Sequence, residues 1–173
     1  AMSGIGFTLD GCAVTAAPGE TIWAVANRLG TEIPHLCHRP RPGYRPDGNC
    51  RACLVEIEGV RVRAASGLRA PAPGRGGGGA AVRAGVVRSA SDRAASARRM
   101  VFELLLADQP TAQARDATGG FARWTQRLGL TASRFAPEPH RHAPDMSHPA
   151  MAVQLDACIA CGLCERACRE VQH

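Results

Sequence analysis

The stretch Ile33-Pro-His-Leu-Cys37, followed by Cys50-Arg-Ala-Cys53-Leu-Val-Glu-Ile57, decides the fold of the N-terminal half of the chain. Its cysteines have the spacing Cys37-x12-Cys50-x2-Cys53. Two thiolates from a tight C-x2-C pair and a third from a preceding loop suit one edge of a [2Fe–2S] cluster, although plant-type ferredoxins have four residues in the first gap. A fourth ligand is needed further along, and no cysteine occurs between Cys53 and Cys158.

The segments around these cysteines predict a small sheet crossed by a helix. Alternating apolar residues indicate strands, a helical period indicates the helix, and Asp10-Gly11 is a strong hairpin turn signal. The predicted elements are a hairpin over 5–16, a helix over 20–29 that ends at Gly30, a strand over 53–57, its partner over 60–65 and a further strand within 80–87. This order indicates an α+β fold.

Helical and irregular segments follow. Residues 91–107 have helical periodicity, and a further short helix is expected near 121–128. The predicted apolar face of the longer helix consists of Ala97, Met100, Val101, Leu104 and Leu105. Residues 131–150 contain four prolines and three histidines, which predicts an irregular linker.

The C-terminal run Cys158-x2-Cys161-x2-Cys164-x3-Cys168 is the pattern of a [4Fe–4S] cluster. In two-cluster ferredoxins the fourth cysteine of such a run binds the other cluster. We therefore expect the site to be incomplete in this chain, which is then a fragment or is completed by another chain. The tail has few apolar residues, so we expect it to be disordered in isolation. Zinc is the alternative metal, but it favours paired C-x2-C motifs well apart in sequence.

Composition excludes several classes of protein. The chain has 173 residues and a net charge of +6, and all of its basic residues are arginine. The arginines are scattered and aromatic residues make up only 4%, which argues against nucleic-acid binding. No apolar run is long enough for a membrane span, and no secretory signal is visible. A cytoplasmic protein is the default expectation, and in that reducing compartment eight cysteines indicate metal rather than disulfides.

Residues 5–88 resemble the N-terminal [2Fe–2S] domain shared by the large peripheral subunit of respiratory complex I, NAD-reducing hydrogenases and NAD-dependent molybdenum formate dehydrogenases. The stretches 33–37 and 45–59 resemble the formate dehydrogenase alpha subunit most closely, as do 147–156 and 167–172. The resemblance implies a β-grasp [2Fe–2S] ferredoxin-like domain over 3–88, a small helical segment over 89–130, the linker over 131–150 and the start of a [4Fe–4S] ferredoxin-like domain over 151–173.

The chain departs from this family at the first cluster site. The family places its fourth [2Fe–2S] ligand thirteen residues after the third, in an Ala-Ala-Ser-Cys context, where this chain has Ala64-Ala65-Ser66-Gly67. Glycine cannot bind iron, and Ser66 could do so through oxygen only after a backbone shift.

A second departure lies in the helical segment. The family holds a further [4Fe–4S] cluster there with a histidine and three cysteines. The matching positions are Gln109, Gln113, Asp116 and Ala122. We therefore expect no cluster in this segment.

The resemblance thus implies an electron-transfer module with no catalytic site of its own. It would relay electrons between a molybdenum site and a flavin/NAD partner in a formate dehydrogenase-like complex, with the other subunits as its partners. Its [2Fe–2S] cluster would be held by Cys37, Cys50 and Cys53. The alternative is a degenerate scaffold or docking subunit without redox function, and a third possibility is a zinc-binding interaction module.

Overall fold

The computed structural model describes residues 4–44, 47–58, 61–68, 85–111, 116–137, 139 and 142–172, without the side chain of Arg61. The chain forms two compact units. One comprises Ala1–Arg98 together with Gly162–His173, and the other comprises Arg99–Cys161.

The first unit is built on a mixed five-stranded sheet. Its strands are β1 (Ile5–Leu9), β2 (Cys12–Ala16), β3 (Leu54–Ile57), β4 (Arg61–Ala64) and β5 (Val86–Arg88). Their spatial order is β2-β1-β5-β3-β4, and only the β1–β5 pairing is parallel. The predicted hairpins are confirmed, and β5 lies at the end of the predicted range 80–87, of which residues 80–84 lie outside the described part.

Helix α1 (Ile22–Arg28) packs its apolar face on the sheet. The side chain of Thr21 caps its first turn by accepting a hydrogen bond from the amide of Ala24 at 3.1 Å. The β1–β2 turn uses Asp10 and Gly11, both with positive φ, as a tight two-residue hairpin requires. The core combines residues from the strands, α1 and the adjoining loops: Phe7, Leu9, Ile22, Trp23, Val25, Ile33, Val55, Leu68 and Val87. The predicted α+β ferredoxin-like fold is confirmed.

Helix α2 (Asp92–Ala107) buries a face other than the predicted one. Leu104 and Met100 are each 46% exposed, whereas Ala94, Phe102 and Ala107 are buried. The predicted face is therefore wrong for Met100 and Leu104, whereas Ala97, Val101 and Leu105 are partly buried.

Charged residues on the buried side explain this difference. Arg98 donates hydrogen bonds to the carbonyls of Leu54 and Ser89 at 2.8 and 2.7 Å. The buried carboxylate of Glu103 pairs with Arg99 and Arg134. Polar residues of this kind are expected on the surface from sequence, but here Arg98 bonds to two carbonyls and Glu103 pairs with two arginines.

The second unit also contains helix α3 (Gly120–Arg127) and a hairpin of β6 (Asp145–His148) and β7 (Met151–Val153). Phe102 stacks on Phe121 with ring centroids 6.0 Å apart. The two strands of this hairpin lie on either side of residue 150, at which the sequence predicts the end of an irregular linker. A 3-10 turn (Leu155–Ala157) follows it.

The C-terminal tail belongs to the first unit. Helix α4 (Leu163–Arg166) continues into a π-helical segment (Ala167–Gln172), and Arg166 is buried. The expected disorder of this tail is therefore wrong. A single buried arginine, rather than apolar area, anchors it.

Candidate metal centre

Three cysteines of the first unit are buried close together. Cys37 lies in the loop after α1, Cys50 lies in the turn before β3, and Cys53 immediately precedes β3. All three side chains are buried. Arg51, between two of them, has a positive φ of 57°, so the chain turns sharply there and both flanking thiols face inward.

Cys37 and Cys50 form a hydrogen-bonded pair of thiols. The bond from Cys50 lowers the pKa of Cys37 to about 6 against the opposing effect of burial. Amides of Cys50 and Asn49, and the charge of Arg166, act in the same direction. The Cys50 sulfur in turn accepts from the amides of Cys37 and Ala52 at 3.4 and 3.5 Å. The pair is therefore suited to carry negative charge on sulfur.

Cys53 is paired with Ser66. The hydroxyl of Ser66 lies 3.1 Å from the Cys53 sulfur, and the amide of Ser66 donates to the same sulfur at 3.4 Å. Burial raises the pKa of Cys53, and both contacts with Ser66 oppose that rise. The sheet sets this pairing, because Leu54 is opposite Ala64 and the amide of Ala65 donates to the Cys53 carbonyl at 2.8 Å.

Arg166 supplies positive charge to the Cys37 side of the site. Its guanidinium donates to the Cys37 carbonyl at 2.5 Å and lies 3.4 Å from a carboxylate oxygen of Asp47. Arg51, which lies between two of the cysteines in the sequence, is exposed. Nothing in the sequence distinguishes Arg166, apart from its place between two cysteines of the C-terminal run.

Arg98 acts on the Cys53 side. Burial lowers the pKa of the Arg98 guanidinium, and the negative charge of Cys53 opposes this lowering. The pair of Cys37 and Cys50 and the pair of Cys53 and Ser66 therefore each have an arginine in their surroundings. Such cations offset the net negative charge of a thiolate-held cluster.

Two glycines bring the cysteine loop against the turn after β4. A Cβ on Gly48, which has a φ of 70°, would lie 3.2 Å from the Cβ of Ala64 and 3.4 Å from the Cα of Gly67. Gly67 is less confined, since its nearest contacts would be at 3.6 Å or more. A Cβ at position 67 therefore fits without displacing the backbone.

Histidines beside Cys37 pack rather than bind. His38 is buried against Trp23 with ring centroids 4.4 Å apart, and His35 lies against the same indole at 4.7 Å. Burial, followed by the charges of His35 and Arg166, lowers the pKa of His38 to about 4. His38 is therefore neutral near pH 7 and forms part of the wall around the cysteine loop.

The donor set fits a [2Fe–2S] cluster. Within the described ranges, no group of three or more histidine, cysteine, aspartate or glutamate side chains could hold a metal ion as placed. The donors instead form two pairings, Cys37 with Cys50 and Cys53 with Ser66, and a two-iron cluster takes two ligands on each iron. The surrounding amides donate to these sulfurs, as they do around protein-bound clusters.

The C-terminal cysteines are divided between the two units. Cys158 and Cys161 belong to Arg99–Cys161, and Cys164 and Cys168 belong to the other unit. The amide of Ala160 donates to the Cys158 sulfur at 3.4 Å, and Ala160 and Gly162 both have positive φ. A [4Fe–4S] site on these four cysteines stays a prediction.

In the helical segment, two of the positions at which the resemblance implies cluster ligands make hydrogen bonds instead. Gln109 is buried and donates to the carbonyl of Ala157 at 3.3 Å. The exposed carboxylate of Asp116 accepts from the amide and hydroxyl of Thr118, which lowers its pKa. Ala122 lies in α3, and Gln113 is outside the described residues.

Comparison with known proteins supports the first site. Residues 3–74 match the family model described as "2Fe-2S iron-sulfur cluster binding domain". This N-terminal region is therefore homologous to 2Fe–2S domains of known proteins. Among the helices of the described residues, none combines the length and apolar character that a bilayer span requires.

Several larger proteins are similar over nearly the whole chain. An NADH-quinone oxidoreductase subunit of Rhizobium meliloti (strain 1021) is 32% identical over 95% of this chain and 18% of its own length. The putative formate dehydrogenase YrhE of Bacillus subtilis (strain 168) is 26% identical over 97% of this chain and 16% of its own length. The chain thus spans less than a fifth of these two relatives.

A solved structure has the same fold. A chain in the crystal structure of an NAD+-reducing [NiFe]-hydrogenase in the H2-reduced state superposes with a TM-score of 0.78 and 32% identity. The match covers 95% of this chain and 66% of that one.

Proposed function

We propose that this chain is an iron–sulfur electron-transfer module of a multisubunit oxidoreductase. The observation that carries the proposal is the buried set of Cys37, Cys50 and Cys53, whose sulfurs are surrounded by amide donors and arginines. A bound [2Fe–2S] cluster supplies one-electron transfer, with a potential that depends on hydrogen bonds to sulfur, net charge and exposure.

The residues of the site perform the protein's share of this task. Burial of the three thiols keeps solvent away from the metal, and the amides of Cys37, Ala52 and Ser66 stabilise charge on sulfur. Arg166 and Arg98 add positive charge on either side, which favours uptake of an electron.

The proposed setting is a formate dehydrogenase-like complex, in which the chain passes electrons between a molybdenum site and a flavin/NAD partner. The similarity to a putative formate dehydrogenase and the stretches 33–37 and 45–59 support this assignment. The higher identity to an NADH-quinone oxidoreductase subunit makes that type of complex the competing setting. The test adds formate or NADH to the complete complex isolated from its source and measures the visible iron–sulfur absorption, which decreases when the clusters are reduced. We expect formate to bleach this absorption. Bleaching by NADH but not by formate would contradict the assignment.

A scaffold without redox function is the second candidate. It is favoured by Gly67, Gln109 and Ala122, which stand where the resemblance implies cluster ligands and have no side chain that could replace them. The retained buried thiols oppose it, as do the arginines around them.

Metal analysis of the purified chain separates the candidates. We expect visible absorption with about two iron and two sulfide ions per chain after anaerobic reconstitution, as a [2Fe–2S] cluster requires. Cys50→Ala should lose most of this iron, whereas the exposed thiol of Cys12 provides a matched control and Cys12→Ala should keep it. Colourless, folded, iron-free protein would support the scaffold, and stoichiometric zinc would support a zinc module.

A further inference from the structure

The first cluster site has a fourth donor, although the fourth cysteine is missing. A [2Fe–2S] cluster takes four protein ligands, and Cys37, Cys50 and Cys53 supply three. We propose that the side-chain oxygen of Ser66 is the fourth ligand and shares one iron with Cys53. This inference rests on the proposed function and adds a residue to the site.

Position is the first argument for Ser66. Its side chain is fully buried, and its hydroxyl oxygen lies 3.1 Å from the Cys53 sulfur. Two ligands on one tetrahedral metal ion lie in van der Waals contact with each other, which is the relation seen here. The ladder of β3 and β4 fixes this relation, because the Ala65 amide bonds to the Cys53 carbonyl at 2.8 Å. The backbone therefore already holds the oxygen beside the sulfur.

The pairing of donors is the second argument. The Cys37 amide donates to the Cys50 sulfur at 3.4 Å, and Cys53 and Ser66 are in contact across the strand pair. Two donors for each of two irons is the arrangement that a four-ligand [2Fe–2S] cluster needs. Without Ser66, the iron held by Cys53 would have one protein ligand.

The hydroxyl of Ser66 has a poor partner as it stands. Its contact in the described structure is the sulfur of Cys53, and thiols are weak donors and weak acceptors. A fully buried hydroxyl with such a partner recovers little of its desolvation free energy. Bonding to iron would satisfy it better.

Assembly of the site balances without an added oxidant or reductant. Two ferric ions and two sulfide ions combine with the four side chains. The thiols of Cys37, Cys50 and Cys53 and the hydroxyl of Ser66 each release one proton to solvent, and each forms one bond to iron. No oxidation state changes.

The experiment compares Ser66→Ala and Ser66→Cys with the unaltered chain after the same anaerobic reconstitution with iron and sulfide. Readouts are iron and sulfide content, visible absorption and cluster lifetime in air. Ser66→Ala should lower the lifetime at least tenfold. Ser66→Cys should keep full iron content and shift the visible bands to longer wavelength, because thiolate-to-iron charge transfer lies at lower energy than alkoxide-to-iron transfer.

Controls make the outcomes separable. Ser89→Ala removes another buried hydroxyl of the same unit and should leave the cluster unchanged. If Ser66→Ala fails to fold by circular dichroism, the band shift of Ser66→Cys decides the question. Iron, lifetime and spectrum unchanged in both Ser66 variants would overturn the ligand assignment while the proposed function stands. Absence of a cluster from the unaltered chain would overturn the proposed function, and the assignment with it.

Discussion

Arg166 should be the residue on which the docking of the C-terminal tail depends. It is 1% exposed, and its guanidinium links the tail to the cysteine loop through the Cys37 carbonyl and Asp47. Arg166→Met keeps the length and the apolar stem of the side chain but removes the charge and all of the donors. The Cys37 carbonyl and the Asp47 carboxylate then lose this partner.

The magnitude follows from these two contacts. A hydrogen bond to a charged group contributes about 1.5–3 kcal/mol. Breaking a fully buried ion pair costs about 3–5 kcal/mol, but the Asp47 side chain is 22% exposed, so water recovers much of this amount. We expect the free energy of unfolding of the metal-free protein to fall by about 2–4 kcal/mol. For a chain of this length that corresponds to a Tm lower by about 4–16 °C.

Thermal unfolding followed by circular dichroism measures the shift, and hydrogen exchange over residues 33–44 shows whether the loop opens with it. Arg169→Met is the matched control. Arg169 lies three residues further on, is 54% exposed and pairs with Glu165 and Glu170, so its replacement should lower the Tm much less than Arg166→Met does. Equal Tm values for the two variants, with protection of residues 33–44 unchanged, would refute the reasoning about Arg166.

Three further predictions concern other parts of the chain. Gly67→Cys should increase iron content and cluster lifetime, because the position accepts a Cβ with contacts no closer than 3.6 Å and a thiolate binds iron more tightly than an oxygen. Equal iron content and lifetime in the variant and the unaltered chain after anaerobic reconstitution would count against this prediction. Phe102→Ala should lower the free energy of unfolding by about 3–5 kcal/mol, whereas Leu104→Ala should lower it by under about 1 kcal/mol because Leu104 is half-exposed. Chemical denaturation measures both values, and similar losses would be inconsistent with the observed buried face of α2. Cys37→Ala removes a ligand of the first site, so any remaining cluster signal must come from Cys158, Cys161, Cys164 and Cys168; we expect no stable [4Fe–4S] cluster there in the 173-residue chain, and a near-stoichiometric cubane signal in low-temperature EPR would show that the run closes locally.

Short-range patterns predicted most of the sheet. The turn at Asp10-Gly11, the alternation in 53–57 and the helical period of 20–29 each fix a local conformation, and the structure contains all three elements. The three buried cysteines were also visible as a motif, because their spacing is itself the chemical signal.

Contacts made between distant residues were not predictable in the same way. Arg166 reaches Cys37 across 129 positions of sequence, and nothing local marks it as buried. The buried face of α2 was missed because Arg98 and Glu103 are satisfied by partners from other elements. The contact between Ser66 and Cys53 depends on the β3–β4 register, which a single sequence does not specify.

Redox titration of the reconstituted chain, followed by EPR, tests the central claim most directly. We predict a reversible one-electron reduction that produces the signal of a reduced [2Fe–2S] cluster, integrating to about one spin per chain. This signal should be absent from Cys50→Ala and present in Cys12→Ala. A folded chain that gives no reducible iron signal under these conditions would contradict the account.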